Sequence, residues 1–132
     1  MKVVIDTNVV ISAALGSNRC GRTIIKALND EILEPPLIGE ELSRFIVKLS
    51  NDKKVDGLSI MELARFFEFF LSCVTIVRDF SLLSYSPDIP DNYFISVAAS
   101  ENALLITGDK LCLQTALKNG VKCVTPSEFE RK

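Results

Sequence analysis

Short runs of apolar, largely β-branched residues alternate along this chain with longer stretches of helical periodicity, and that alternation restricts it to an α/β architecture with a mostly parallel sheet. The spacing predicts strands at 3–5, 33–38, 74–77, 103–106 and 121–124, the second limited by Pro35-Pro36 because each proline removes a ladder donor. Helices are expected over 9–15, 21–29, 39–49, 59–71, 92–100 and 110–118. Gly16-Ser17-Asn18 ends the first, Ser59 caps the fourth and Asn119-Gly120 stops the last. The stretch 78–90 is the longest irregular connection and is expected to shape a functional rim. At 132 residues, a single domain over 1–132 accounts for the whole chain.

Composition removes several chemistries. There is no histidine, so Ser-His-Asp and Cys-His catalysis and His-ligated zinc are excluded, and acid/base work falls to carboxylates, lysine, tyrosine or metal-activated water. Fifteen basic against 17 acidic residues give a net charge of −2, so a nucleic acid would have to meet a local basic patch or metal ions held by acids. Arg19, Arg22, Lys26 and Lys110 lie nearest in sequence to the acidic positions described next, Lys110 directly beside Asp109. The cysteines at 20, 73, 112 and 123 form no C-x-x-C pair, and no apolar run approaches the ~18 residues of a membrane span. Free, mostly buried thiols and a cytoplasmic setting without a membrane segment are the expectation.

Two of the predicted strands run into an acid before a helix, as Val4-Ile5-Asp6-Thr7-Asn8 and Leu105-Ile106-Thr107-Gly108-Asp109. The carboxyl ends of neighbouring strands in an open parallel sheet line one crevice, so Asp6 and Asp109 are expected to face each other. Asp91, placed at the opening of the helix before the fourth strand, follows Asp88-Ile89-Pro90 and is expected to return to the same rim. Any one of these acids alone reads as a helix N-cap. Thr7, Asn8 and Thr107 could cap without burying a charge, however, so an aspartate at each place is more acid than capping requires. On the helix 39–49, Glu41 lies about 85° from the centre of the apolar stripe and Glu40 nearly opposite it, so Glu41 reaches toward the crevice and Glu40 toward water.

Ile5-Asp6-Thr7-Asn8, Glu41-Leu42, Asp91-Asn92-Tyr93-Phe94 and Thr107-Gly108-Asp109-Lys110 together resemble the ordered motifs of PIN-domain proteins, with the small prokaryotic VapC-like toxins the nearest match. The resemblance implies a three-layer α/β/α domain around a central parallel five-stranded sheet with the first strand in the middle. It also implies an Mg²⁺- or Mn²⁺-dependent endoribonuclease and, through the toxin-antitoxin system, an antitoxin protein as partner. Carried over by position, Asp6, Glu41, Asp91 and Asp109 match the acidic quartet, as catalytic residues and metal ligands. Thr7 and Asn8 match its polar support, and Asp88, Thr107 and Lys110 stand beside it.

Four converging carboxylates repel one another unless cations sit among them, and oxygen ligands suit Mg²⁺ or Mn²⁺. The expectation is that Asp6 and Asp109 hold the principal cation while Asp91 and Glu41 complete or bridge a second position, with RNA as substrate. Two rival readings use the same residues: a metal-dependent phosphotransfer domain with Asp6 as nucleophile, and a non-catalytic interaction module whose acids only cap helices. The helix 59–71 carries Phe66, Phe67, Phe69 and Phe70 over an arc wider than one core-facing stripe needs. A homodimer with at least one of these rings at a dimer or partner surface is therefore expected.

Overall fold

Residues 3–5 are fully enclosed, which is the signature of a strand covered on both faces, and they form the middle strand of a sheet in the computed structural model, which describes residues 1–132. The strands are β1 (Lys2–Ile5), β2 (Glu31–Glu34), β3 (Thr75–Ile76), β4 (Leu104–Ile106) and β5 (Cys123–Val124). All pair in parallel, in the order β3-β2-β1-β4-β5. Val3, Val4 and Ile5 lie opposite Leu104, Leu105 and Ile106, so β1 and β4 end level with each other.

The connections are α1 (Thr7–Ala14), α2 (Asn18–Ala27), α3 (Leu37–Ser50), α4 (Gly57–Ser72), α5 (Ile89–Glu101) and α6 (Lys110–Lys118), with α7 (Pro126–Arg131) closing the chain. Right-handed crossovers put the helices of the β1-to-β2 and β2-to-β3 connections on one face and α5 and α6 on the other, giving the α/β/α layering expected. The chain leaves β1 toward β2 and leaves β4 toward β5. The ends of β1 and β4 therefore form the switch point at which open α/β sheets bind ligands.

Several boundaries differ from expectation, each for a local reason. β2 covers Glu31–Glu34 rather than 33–38: it stops before Pro35, and Pro36 and Leu37 already belong to the entry of α3. Gly16, at φ +101°, ends α1, but Ser17 at once caps α2 by accepting from the Cys20 amide, so that helix starts at Asn18 rather than Gly21. Asp56, not Ser59, caps α4, its carboxylate accepting from both the amide and the hydroxyl of Ser59. The final helix, α7, was not expected. It opens on a reciprocal capping box between Thr125 and Glu128.

The core fills from both layers. Phe67 and Phe70 of α4 are buried, Phe67 meeting Phe45 of α3 edge-to-face at 6.3 Å, and each enclosed ring contributes about 1.5–3 kcal/mol. Phe69 points outward at 53% exposure, so this helix does not enclose all of its rings. All four cysteines are free, with Cys112 and Cys123 buried, Cys20 half-buried and Cys73 exposed; burial of the thiols is thus less complete than expected. No helix is long and apolar enough to cross a membrane.

Candidate metal centre

Asp6 follows β1 directly, its backbone still extended and its amide bonded to the Ile106 carbonyl at 3.0 Å, so β4 fixes where it stands. It occupies the cap position of α1, yet its side chain makes no cap bond. Instead its Oδ2 accepts from the Thr107 hydroxyl at 2.7 Å, and the same hydroxyl oxygen accepts from the Asp109 amide at 3.0 Å. Thr107, fully enclosed, thereby ties the ends of β1 and β4 together through side chains.

Asp109 does cap. Its Oδ1 accepts from the amides of Leu111 and Cys112, stabilising α6 by about 1 kcal/mol and leaving Oδ2 free of those bonds.

The third aspartate separates from its neighbour by burial. Asp88 is exposed at the cap position of α5 without a side-chain cap bond, and Asp91 lies in the first turn, 6% exposed. The helix therefore opens at Ile89 and not at Asp91; what distinguishes Asp91 is that it turns inward. Asn92 draws the preceding loop onto the helix, its side-chain oxygen accepting from the amides of Tyr85 and Ser86 and its amide donating to the Ser86 carbonyl. The Ser86 hydroxyl then lies 3.5 Å from Asp91 Oδ2. Asn92 stands in the Asp91-Asn92-Tyr93-Phe94 motif, but its bonds to the loop and the part of Ser86 have no sequence signal, since both depend on a loop closing on itself.

Two groups of potential ligands share Asp91. One is Asp6, Asp91 and Cys112, all buried; the other joins buried Asp91 to exposed Asp88 and half-buried Asp109; within each group the ligating atoms lie within 4.8 Å of one another. Glu41 joins from α3, where its Oε1 accepts from the Thr7 hydroxyl at 2.6 Å, one residue beyond Asp6. Glu40 is exposed and paired only loosely, at 3.9 Å, with Arg44.

The electrostatics fit a cation. Burial is the main cause that raises Asp6 above the ordinary aspartate range, the Thr107 bond opposes it, and the Glu41 and Asp109 charges add to it. Asp91 is raised to about 7, first by burial and then by Asp88, Asp6 and Asp109. Burial likewise pushes the Cys112 thiol far up. Carboxylates that raise one another in this way are relieved by a divalent ion bound among them, and carboxylate oxygens suit a hard divalent cation. Asp6, Asp91 and Asp109, with Asp88 and Glu41 at the margins, are the residues able to hold it.

The basic residues are distributed differently from expectation. Arg22 pairs with Glu130, and Lys26 donates to the carbonyls of Phe129, Glu130 and Lys132, so both hold α7 against α2 and neither serves the crevice. Lys110 is exposed at the start of α6. Arg44 and Lys48, three and seven residues beyond Glu41, line with Thr7, Asn8 and Glu41 a hollow of about 220 Å³. Their spacing on one helical face was visible in the sequence once Glu41 was placed.

The profile described as PIN domain matches residues 2–111. An uncharacterized protein of Methanocaldococcus jannaschii, MJ1680, is 31% identical, the alignment covering 98% of this chain and 89% of that protein. Among solved structures, PAE2754 from Pyrobaculum aerophilum superposes with a TM-score of 0.68 at 20% identity, over 99% of this chain and 88% of that one. VapBC2 from Rickettsia felis, bound to a DNA fragment from its promoter, superposes at 0.66 and 16% identity, over 95% and 98%. At such identities the two structures speak for the fold.

Proposed function

Since the chain belongs to the PIN-domain family of nucleases, we propose that it is an Mg²⁺- or Mn²⁺-dependent endoribonuclease and the toxin component of a toxin-antitoxin pair, acting in the cytoplasm. The observation that carries this reading is that Asp91 meets Asp6 in one group of potential ligands and Asp109 in another at the β1–β4 switch point, where only Asp109 has a helix-capping role. An interaction module whose acids merely cap helices leaves Asp6 and Asp91 unexplained, because neither makes a cap bond.

In this reading Asp6 and Asp109 hold the principal cation, and Asp91 and Glu41 complete or bridge a second position. A bound divalent ion supplies charge neutralisation at the phosphodiester and activation of the attacking water. The protein's own part is orientation. Thr107 holds one oxygen of Asp6, Thr7 holds Glu41, and Ser86 with Asn92 fixes the approach to Asp91. Arg44, Lys48 and Lys110, on either side of the acids, supply the local positive charge that an RNA backbone requires of a protein with a pI near 5.2.

The proposed assembly is a homodimer, supported by the outward Phe69 on α4 and the exposed Val47 on α3. The toxin role is supported by likeness to VapC-type folds, and a short adjoining reading frame with a DNA-binding N-terminus is its expected genetic sign. The deciding experiment is incubation of a mixed RNA pool with wild-type protein and Asp6→Asn in Mg²⁺, Mn²⁺ or EDTA. Cleavage by wild type in either metal, lost in EDTA and in the folded variant, is the expected result. Intact RNA with folded wild type in both metals overturns the reading, and an acid-labile phosphoryl group on Asp6 would favour phosphotransfer instead.

A further inference from the structure

Glu34 has no place in the acidic set described so far. It ends β2, is 0% exposed, and neither of its carboxylate oxygens has a hydrogen-bond partner. None of the ion pairs in the molecule includes it. Buried carboxylates are normally hydrogen-bonded, paired with a basic group or held to a metal, so this one has its normal complement missing.

Its position indicates what it serves. Lys2 lies opposite Glu31 and Val3 opposite Ile32, and continuing that register brings Glu34 level with Ile5, the residue before Asp6. Glu34 therefore stands at the carboxyl end of the sheet on the β2 side of Asp6, as Thr107 stands on the β4 side. Burial first and the Asp6 charge second raise its pKa well above the ordinary glutamate range, and the Ile5 amide, which does not reach hydrogen-bond geometry, opposes them. The backbone around it is fixed: its carbonyl accepts from the Val77 amide at 2.8 Å, its register with β3 sets it opposite Ile76, and Pro35-Pro36 leads at once into the helix that carries Glu41. The backbone at Glu34 cannot move without breaking the β2–β3 pairing.

We propose that Glu34 is a further positioning residue of the cation site, an enclosed carboxylate beside Asp6 on the β2 side that strengthens the grip of the site on a divalent ion. The inference rests on the metal-dependent reading above and adds to it a residue outside the Asp6, Glu41, Asp91 and Asp109 set. It carries a signature that a merely space-filling side chain lacks: removing the carboxylate weakens cation binding while the metal-free fold holds or gains stability, because an unpartnered buried acid opposes folding and favours a cation.

The test is Mn²⁺ titration of the full chain, with free Mn²⁺ read by electron paramagnetic resonance, alongside metal-free melting. Glu34→Gln and Glu34→Met, each close in length to glutamate, are compared with wild type, Asp6→Asn and the exposed-site control Glu40→Gln. The expected result is binding in wild type and Glu40→Gln, its loss in Asp6→Asn, and affinity reduced about tenfold or more in both Glu34 variants, with melting temperatures at or above wild type. Affinities in both variants indistinguishable from wild type, while Asp6→Asn loses binding, overturn the role of Glu34 alone. Wild type that takes up no Mn²⁺ overturns the metal reading and this inference together. Failure of both variants to fold overturns the inference as well, since the carboxylate would then be a requirement of the core.

Discussion

On the β4 side of Asp6 each acid has a partner or an outlet: Thr107 bonds Asp6, Asp109 spends one oxygen capping α6, and Asp91 lies beside Ser86. On the β2 side Glu34 is sealed without a partner, and Glu41 is reached only by way of the Thr7 hydroxyl. One flank is a set of carboxylates oriented by hydrogen bonds, with a solvent-facing mouth at Asp88. The other holds a carboxylate enclosed without a partner. A sheet end can thus be acidic on both sides of one strand and still open to solvent on one side only.

The largest expected effect comes from the centre of that comparison. Asp6→Asn and Asp109→Asn should each reduce metal-dependent RNA cleavage about a hundredfold or more, because each removes a ligand charge, and both should fold, since asparagine can cap α6 as aspartate does. Near-wild-type cleavage by either folded variant would erase the distinction between a ligand-bearing flank and a supporting one. Next in size is Thr107→Val, which keeps the shape of a fully enclosed residue and deletes the hydroxyl that orients Asp6. Its cation affinity, followed by calorimetry, should fall about tenfold.

The pH dependence of the metal-free protein sharpens the contrast further. An acid whose folded-state pKa lies above its unfolded value binds more protons when folded in the interval between the two, so stability falls as pH rises through that interval. For Asp91 the interval runs from the unfolded aspartate value of about 3.9 to about 7 in the folded protein, and Asp6 and Glu34 shift in the same direction. The metal-free melting temperature should therefore be higher at pH 5 than at pH 8. Asp91→Asn should flatten that slope, and Mn²⁺ should restore stability chiefly at the higher pH. A melting temperature that rises over this range would contradict the electrostatics of both flanks.

The smallest effect concerns the hollow beside Glu41. Replacing Arg44 and Lys48 with glutamine should weaken RNA binding and reduce the dependence of log affinity on log salt by about 0.7 for each phosphate that is no longer neutralised. Arg22→Gln should leave that slope unchanged and only loosen α7 slightly, since exposed ion pairs contribute little. An effect of Arg22→Gln on RNA equal to that of the Arg44 and Lys48 pair would show that the basic surface had been misplaced.

What could be read from sequence follows the range of the interactions involved. β1 and α6 were legible because an apolar run ending in acid, and a helix bounded by Asp109 and Asn119-Gly120, are local signals. Glu41 and Glu40 were separable because helical phase alone sends one inward and the other to solvent. α7 also carries a local signal, the capping box of Thr125-Pro126-Ser127-Glu128. Long-range facts were not legible. Arg22 and Lys26 looked available because Glu130 and the carbonyls that bind them lie more than 100 positions away. Glu31 and Glu34 are the same residue type at the two ends of β2, yet Glu31 is exposed and Glu34 is sealed by what packs around it, which no local pattern shows.

Whether the acids at the β1–β4 switch point form a divalent-cation site is decided by anomalous diffraction at the manganese edge from crystals soaked in Mn²⁺. A peak bounded by the carboxylates of Asp6, Asp91 and Asp109, absent in crystals of Asp6→Asn, is the expected result. A wild-type map with no peak among those three side chains would contradict it.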